Sequence, residues 1–333
     1  MDDVKSSHVD KEINDEFLHW LKAMYASDGI GEVKATRGPK HDYLGMVLDY
    51  TLPGALKIDM TQYVNAMIED FPAELAGVSK CAWNENLFKV DKEAKNLSKE
   101  RAAIFHTFVM KGMFLCKRGR QDIQPGIAFL TTRVSEPNES DWKKLVKVMK
   151  FLKETKEVVT TMSMDNSNTI KWYIDAAFAV HKDLKSHTGA VMTLGNGILC
   201  SISTKQKVNS RSSTEAEFIA VDDVISKVLW TRLFLEKQGQ NILMNVIYRD
   251  NQSSMKMELN GKASSGKRTR HFDIKYYYIT DLIRRKLVQI KYCPTNDMIA
   301  DYMTKPIVGS KFNMLWKKIL GEIPIVVQQA STS

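Results

Sequence analysis

The sequence predicts an α+β chain whose second half is a mixed, five-stranded sheet flanked by helices, and two observations carry that prediction. After a polar, turn-rich stretch at Met162-Ser-Met-Asp-Asn-Ser-Asn168, the pattern runs three strands, helix, strand, helices, strand, helix. That order suits a mixed sheet covered by helices. The composition, 44% hydrophobic and 26% charged over 333 residues, is that of an ordinary globular protein and excludes a disordered, collagen-like or coiled-coil chain. The length suggests two units, expected at 1–160 and 165–325, with the boundary in the polar stretch.

In the first unit, Ile13, Phe17, Trp20, Leu21 and Met24 recur at helical spacing over residues 12–26, until Gly29-Ile-Gly31 ends the pattern. Strand-like pieces follow at 33–36 and 43–49, then a helical pattern over 58–70. The acidic, Asn-rich stretch 82–99 reads as an exposed connection. Three helices are expected at 102–116, 122–132 and 141–152, the last after Pro137.

In the second unit, 170–180 reads as a strand and 189–203 as a hairpin, with Gly195-Asn196-Gly197 supplying the positive-φ residues of a tight turn. A long helix spans 214–236, a short strand 246–250 and another helix 272–285. A last strand lies at 287–293, and a helical turn at 298–304 precedes Pro306. Trp20, Trp142, Trp230 and the 17 methionines fit helix faces and read as core.

Lys and Arg number 48 against 39 acidic residues, a net charge of +9, which permits a polyanionic partner without requiring one. Cys81, Cys116, Cys200 and Cys293 are scattered, with no Cys-x-x-Cys pair and no His at ligand spacing, which argues against a structural zinc site or disulfide framework. No apolar run approaches the roughly 20 residues that span a bilayer, and the first residues lack a signal-peptide core. A reduced, intracellular protein, cytoplasmic or nuclear, with no membrane and no small-molecule cofactor is expected.

Four carboxylates stand out. Asp175 lies inside the strand Trp172-Tyr-Ile-Asp-Ala-Ala-Phe178, where a charge is costly unless something binds it. Glu217 shares a helix face with Val221, Val224 and Val228, whereas Glu215 points about 200° away. Asp250 closes the strand 246–250 and equally suits a helix N-cap. Asp301 sits in the apolar turn Met298-Ile-Ala-Asp-Tyr-Met303. Carboxylates on a first strand, a following helix, a later strand end and a terminal helix can converge on one patch and hold two divalent ions, a pair suited to phosphodiester hydrolysis. Asp273 and Asp297 are spare acids.

Four runs occur in a recognisable order: Ser212-Ser-Thr-Glu-Ala-Glu-Phe218, Asp250-Asn-Gln-Ser253, Lys267-Arg-Thr-Arg-His-Phe-Asp-Ile-Lys275 and Ile299-Ala-Asp-Tyr-Met-Thr-Lys-Pro306. Together they resemble the ribonuclease H domain at the end of copia-type retrotransposon Pol polyproteins. The resemblance implies a ribonuclease H-like fold, Mg²⁺ (or Mn²⁺) as cofactor, and catalytic, metal-binding roles for Asp175, Glu217, Asp250 and Asp301. It also implies cleavage of the RNA strand of an RNA:DNA hybrid, and the rest of a Pol polyprotein as partner. Cys293-Pro-Thr-Asn-Asp297 stands where many cellular ribonucleases H carry a His, an absence the copia pattern shares.

The first half is similar to the same polyproteins. His41-Asp-Tyr-Leu-Gly-Met46 with Met60-Thr-Gln-Tyr63 looks like the end of a reverse transcriptase palm. Lys117-Arg-Gly-Arg-Gln-Asp-Ile-Gln124, Phe129-Leu-Thr-Thr-Arg133 and the Trp142 to Lys153 segment look like thumb and connection. Met1-Asp2-Asp3 resembles the tail of the polymerase's Asp-Asp turn. The fold expected is thus a truncated reverse transcriptase region before the ribonuclease H-like sheet, with Asp2 and Asp3 as orphan ligands and no polymerase activity.

Lys262, Lys267, Arg268, Arg270 and His271 form a basic cluster among Gly and Ser, which suits either a solvated face or a loop that holds nucleic-acid phosphates beside the acidic site. Arg118, Arg120, Lys143, Lys144, Lys147 and Lys150 offer a second contact. Two other classes compete: a catalytically inert or merely nucleic-acid-binding remnant of a decayed retroelement, and a DNA-directed nuclease or integrase relative. Integrases usually place a Glu last, on a long helix, which favours the ribonuclease.

Overall fold

The computed structural model describes residues 3–8, 10–26, 32–260 and 273–327. Asp10 accepts from the Glu12 N–H and caps α1 (Lys11–Tyr25). The stripe expected to enter a core stays outside: no residue of α1 is buried, and Trp20 is half exposed. Residues 33–36 form no regular strand. The single strand expected at 43–49 is a hairpin, β1 (Lys40–Tyr43) and β2 (Met46–Asp49), because Leu44 and Gly45 both take positive φ. Ile58 and Asp59 close β3 (Ala55–Asp59) before α2 (Thr61–Glu69) begins, so the helix is shorter than its apolar pattern suggested.

Residues 82–99 correct a second expectation. They lack regular structure over most of their length, yet Ala82, Trp83, Leu87 and Phe88 are buried. Trp83 donates its Nε1–H to the Ile307 carbonyl at 3.0 Å and packs on Tyr302 and Phe312. Polar neighbours such as Asn84 and Glu85 hide this anchoring from a reading of composition. Three helices follow as predicted: α3 (Lys99–Cys116), α4 (Gln124–Thr131) after a short 3₁₀ turn, and α5 (Glu139–Glu154). Asn138 and Asp141 close a reciprocal capping box at the start of α5. The strand β4 (Thr160–Met164) completes this part.

The second half carries β5 (Thr169–Ala177), β6 (His187–Thr193), β7 (Gly195–Asn196), β8 (Cys200–Lys205), α6 (Ser213–Lys237) and β9 (Met244–Arg249). Then come α7 (Gln252–Asn260), α8 (Asp273–Arg284), β10 (Gln289–Tyr292), α9 (Asp301–Thr304) and α10 (Gly309–Leu320). One five-stranded sheet has the order β10-β9-β5-β6-β8, with β10, β9 and β5 parallel and β6 and β8 antiparallel to their neighbours. A second, antiparallel sheet has the order β1-β2-β3-β4-β7.

The Gly195-Asn196-Gly197 segment is not the expected tight turn. Gly195 and Asn196 leave the β6–β8 hairpin to pair with Met164 and Ser163 of β4, tying the two sheets together. Only Gly197 of the three takes positive φ, at 67°.

One apolar core, α6 against β5, β6 and β9, includes Ile170, Trp172, Val221, Val224 and Val228. The other is shared between the two halves: Phe105, Phe129 and Phe151 pack with Tyr302, Phe312 and Ile319. A buried polar lock reinforces it. Arg120 forks onto Asp122, which accepts from Trp316 Nε1 at 2.8 Å through its carboxylate and from the Tyr302 hydroxyl at 2.9 Å through its carbonyl. Of the tryptophans expected in the core, Trp142 is buried but Trp230 is 62% exposed. Thirteen residues beyond Glu217, Trp230 lies about 220° round the helix from the packed face.

Candidate metal centre

The centre of the long sheet positions the first carboxylate. Asp175 is near the end of β5 and only 1% exposed, opposite Gly189 of β6. Gly189 is indispensable there: a Cβ would meet the side chain of Thr304, Met303 Cβ at 3.0 Å and the Ala300 carbonyl at 3.1 Å. Its bare backbone lets α9 lie directly on β6, so that Thr304 donates its hydroxyl to Asp175 Oδ2.

The packed face of α6 delivers the second, as the valine register predicts. Glu217 is buried, while Glu215 is only half-buried and accepts from the Arg211 N–H beside the Ser212 N-cap. Asp250 follows β9 directly and is half-buried, accepting from the Thr295 hydroxyl at 3.2 Å. One oxygen from each of Asp175, Glu217 and Asp250 can be chosen so that all three lie within 4.8 Å of one another. Three hard oxygen donors converging from two strands and a helix suit a divalent ion of the Mg²⁺ type.

Electrostatics explains why these charges are tolerated. Burial pushes the Glu217 carboxyl well above the usual range, and Asp175 and Asp250 add to the rise, against the pull of Arg249. Arg249 is fully buried, donating to the Glu217 carboxylate at 2.8 Å and its main-chain carbonyl at 2.9 Å. Its Nη1 stands 3.8 Å from the buried Glu258 of α7.

Asp301 is placed beside the cluster but is engaged differently. Its Oδ1 pairs with Lys305, and its Oδ2 with Lys311 at 2.7 Å. Burial, then the nearby Asp175, raises its pKa, while the lysines oppose the rise. The spare acid Asp297 faces Lys318 at 3.8 Å, apart from the three-carboxylate cluster.

The basic residues Lys262, Lys267, Arg268, Arg270 and His271, like Asp2, lie outside the described residues. Asp3 is exposed and accepts from Leu44 N at 3.4 Å. Of the second basic group, Arg120 is buried in its pair with Asp122 and cannot reach a phosphate. Lys143, Lys144 and Lys147 line a cavity of about 230 Å³ with Trp83 and Leu130. Sequence reasoning missed Arg249, Lys305, Lys311 and Gly189. The first two lay inside runs already singled out, in Tyr248-Arg249-Asp250 and Thr304-Lys305-Pro306.

The arrangement can be set beside known proteins. No family model matches the chain. The retrovirus-related Pol polyprotein from transposon TNT 1-94 of Nicotiana tabacum is 25% identical over 291 residues, 85% of this chain and 22% of that polyprotein. That from transposon RE1 of Arabidopsis thaliana is 29% identical over 59% of this chain and 14% of its own length. A Ty1 Gag-Pol polyprotein of Saccharomyces cerevisiae (Ty1-LR3) is 20% identical over 96% of this chain and 19% of its own. The chain thus spans about a fifth or less of the length of these relatives.

Among solved structures, LC11-RNase H1, isolated from compost, matches 41% of this chain and 93% of its own at 14% identity and a TM-score of 0.32. The foamy viral protease-reverse transcriptase in complex with an RNA/DNA hybrid matches 87% of this chain and 34% of its own at 10% identity and a TM-score of 0.43. Both likenesses are partial, and the fold class rests on the strand order itself. That order, with an acid on the central strand, the following helix and the next parallel strand, defines a ribonuclease H-like α+β sheet. The chain's homologues are retrovirus-related Pol polyproteins of copia-type transposons, and the similarity runs through both halves.

Proposed function

We propose that this chain is a retroelement ribonuclease H that hydrolyses the RNA strand of an RNA:DNA hybrid with the help of Mg²⁺. The convergence of Asp175, Glu217 and Asp250 within 4.8 Å carries the reading. These three would hold the ion, which supplies Lewis acidity and an activated water at neutral pH. Asp175 is oriented by Thr304, Glu217 by Arg249 and Asp250 by Thr295, so each ligand is held by a hydrogen bond from a neighbour.

In the hydrolysis, water adds to phosphorus while the bond to the ribose 3′-oxygen breaks. The electron pair stays on that oxygen, which takes up a proton from solvent as the attacking water sheds one. The basic run at 262–271 is assigned to the phosphates of the hybrid, which the carboxylates would otherwise repel. The remaining Pol polyprotein is the assigned covalent partner, and the retroelement particle inside the cell its setting.

Labelled substrates test the reading. Purified full-length chain with Mg²⁺ is expected to cut the RNA of a hybrid and to leave double-stranded DNA and single-stranded RNA intact. Cleavage of the DNA duplex instead would favour the integrase-like reading. Binding without cleavage of any substrate would favour the inert remnant.

A further inference from the structure

Asp301 was expected to share in holding two ions, yet both of its oxygens are taken by lysines. Lys305 does more than neutralise Asp301: its Nζ also stands 3.4 Å from Asp175 Oδ2. One ammonium therefore bridges Asp175 and Asp301, and Asp175 is shared between this ammonium and the three-carboxylate cluster. The geometry points to Lys305 as the second cation of the site: this chain works with one divalent ion, held by Asp175, Glu217 and Asp250, and the lysine ammonium beside it. This inference rests on the ribonuclease reading and deepens it.

Three further observations support the assignment. The first is charge. With every group ionised, Asp175, Glu217, Asp250, Glu258 and Asp301 face Arg249, Lys305 and Lys311, leaving two negative charges, which one divalent ion neutralises. Placement is the second. The main chain at Lys305 is fixed from both sides, by its N–H to the Asp301 carbonyl at 2.9 Å and by Trp83 on the Ile307 carbonyl at 3.0 Å, while Gly189 admits α9 to the sheet.

The third is access. The Lys305 side chain is 40% exposed although its partners Asp175 and Asp301 are almost fully buried, so of the three it is the one that solvent, and hence a phosphate, can approach. There it would donate a hydrogen bond to the departing 3′-oxygen and offset the charge that grows on it, the task a second ion performs in a two-ion site. Arg249, by contrast, is fully buried and can only position Glu217.

Mn²⁺ binding, followed by the electron paramagnetic resonance of the free ion, is measured beside steady-state cleavage of a labelled hybrid, all with the full chain. The unmutated chain is expected to bind one Mn²⁺. Lys305→Gln should bind that ion at least as tightly, since a neighbouring positive charge is gone, yet lose about 100-fold in kcat with little change in KM. Lys305→Arg, which keeps the charge and its pairing with Asp301, should stay within about tenfold of the unmutated kcat and remains informative if the Gln variant misfolds. Two Mn²⁺ ions bound by the unmutated chain would overturn the inference, as would a Lys305→Gln enzyme within threefold of normal or a folded Lys305→Arg as inactive as Gln. In those cases the ribonuclease reading stands. An unmutated chain that neither binds Mn²⁺ nor cuts the hybrid overturns both.

Discussion

A single guanidinium nitrogen of Arg249 donates to both the main-chain carbonyl and the carboxylate of Glu217, at 2.9 and 2.8 Å. Because Asp250 is the next residue, this one side chain sets the distance between two of the three converging carboxylates. Removing it would leave Glu217 and Glu258 buried without their cation. Arg249→Met is expected to destabilise the fold by roughly 3–5 kcal/mol, the cost typical of breaking a buried pair from one side. Urea unfolding measures it, and a loss below about 1 kcal/mol would show that the pair contributes little.

The helix register yields a paired test. Glu217→Gln removes a ligand from the packed face of α6, whereas Glu215→Gln alters a half-buried residue whose carboxylate is bonded to the N-cap region, away from that face. Hybrid cleavage should fall by orders of magnitude in the first and stay within about twofold in the second. Equal damage from both would show that the helix ligand is misassigned.

Replacing Lys267, Arg268 and Arg270 together by Ala is expected to weaken hybrid binding and flatten its salt dependence, with the log–log slope losing roughly 0.7 to 0.9 for each lost phosphate contact. Filter binding across a salt series reads the slope. An unchanged slope would return these residues to a solvated face.

Two buried histidines give the chain an acid sensitivity of its own. His181 Nε2 meets His187 Nδ1 at 2.9 Å, His187 Nε2 meets Ser203 Oγ at 2.8 Å, and Ser203 donates to the Met303 carbonyl. Ser203 gives its proton to Met303, so His187 donates from Nε2, and the single contact between the two rings lets at most one of them carry a charge. Burial pushes His181 down to about 4, with Lys205 adding to the fall, and His187 down to about 3, with His181 adding to it. Unfolded histidines take up protons near the ordinary 6.5 while these do not, so stability falls as pH drops through 6.5 towards 4. Each ring contributes at most about 1.4 kcal/mol per pH unit. Unfolding midpoints between pH 7 and 5 should show a shallower slope for His181→Phe, and identical slopes would contradict the argument.

How much of this was legible depended on whether a residue's partner lay within its own element. Glu217 could be placed because Val221, Val224 and Val228 mark the same helix face, and Asp175 because a charge inside an apolar strand demands a partner. Lys305 carried no such mark. Its partners, Asp175 and Asp301, lie 130 and four residues away, and only the approach of α9 over Gly189 brings all three together. Gly195-Asn196 misled for the same reason: a local turn signal was outweighed by pairing with β4, some 30 residues earlier. Trp83 was hidden among polar neighbours, since its burial depends on Tyr302 and Phe312, more than 200 residues on.

Whether Asp175, Glu217 and Asp250 form a metal-dependent catalytic site is decided by Mg²⁺-dependent cleavage of a labelled RNA:DNA hybrid, measured for the unmutated chain and for Asp250→Asn. The substitution keeps the shape and removes one negative charge from the ion's ligands. Cleavage is expected to fall by at least about 1,000-fold while hybrid affinity is kept or tightened, because repulsion towards phosphate is reduced. Cleavage by Asp250→Asn at the unmutated rate, or cleavage that persists when Mg²⁺ is chelated, would contradict the account.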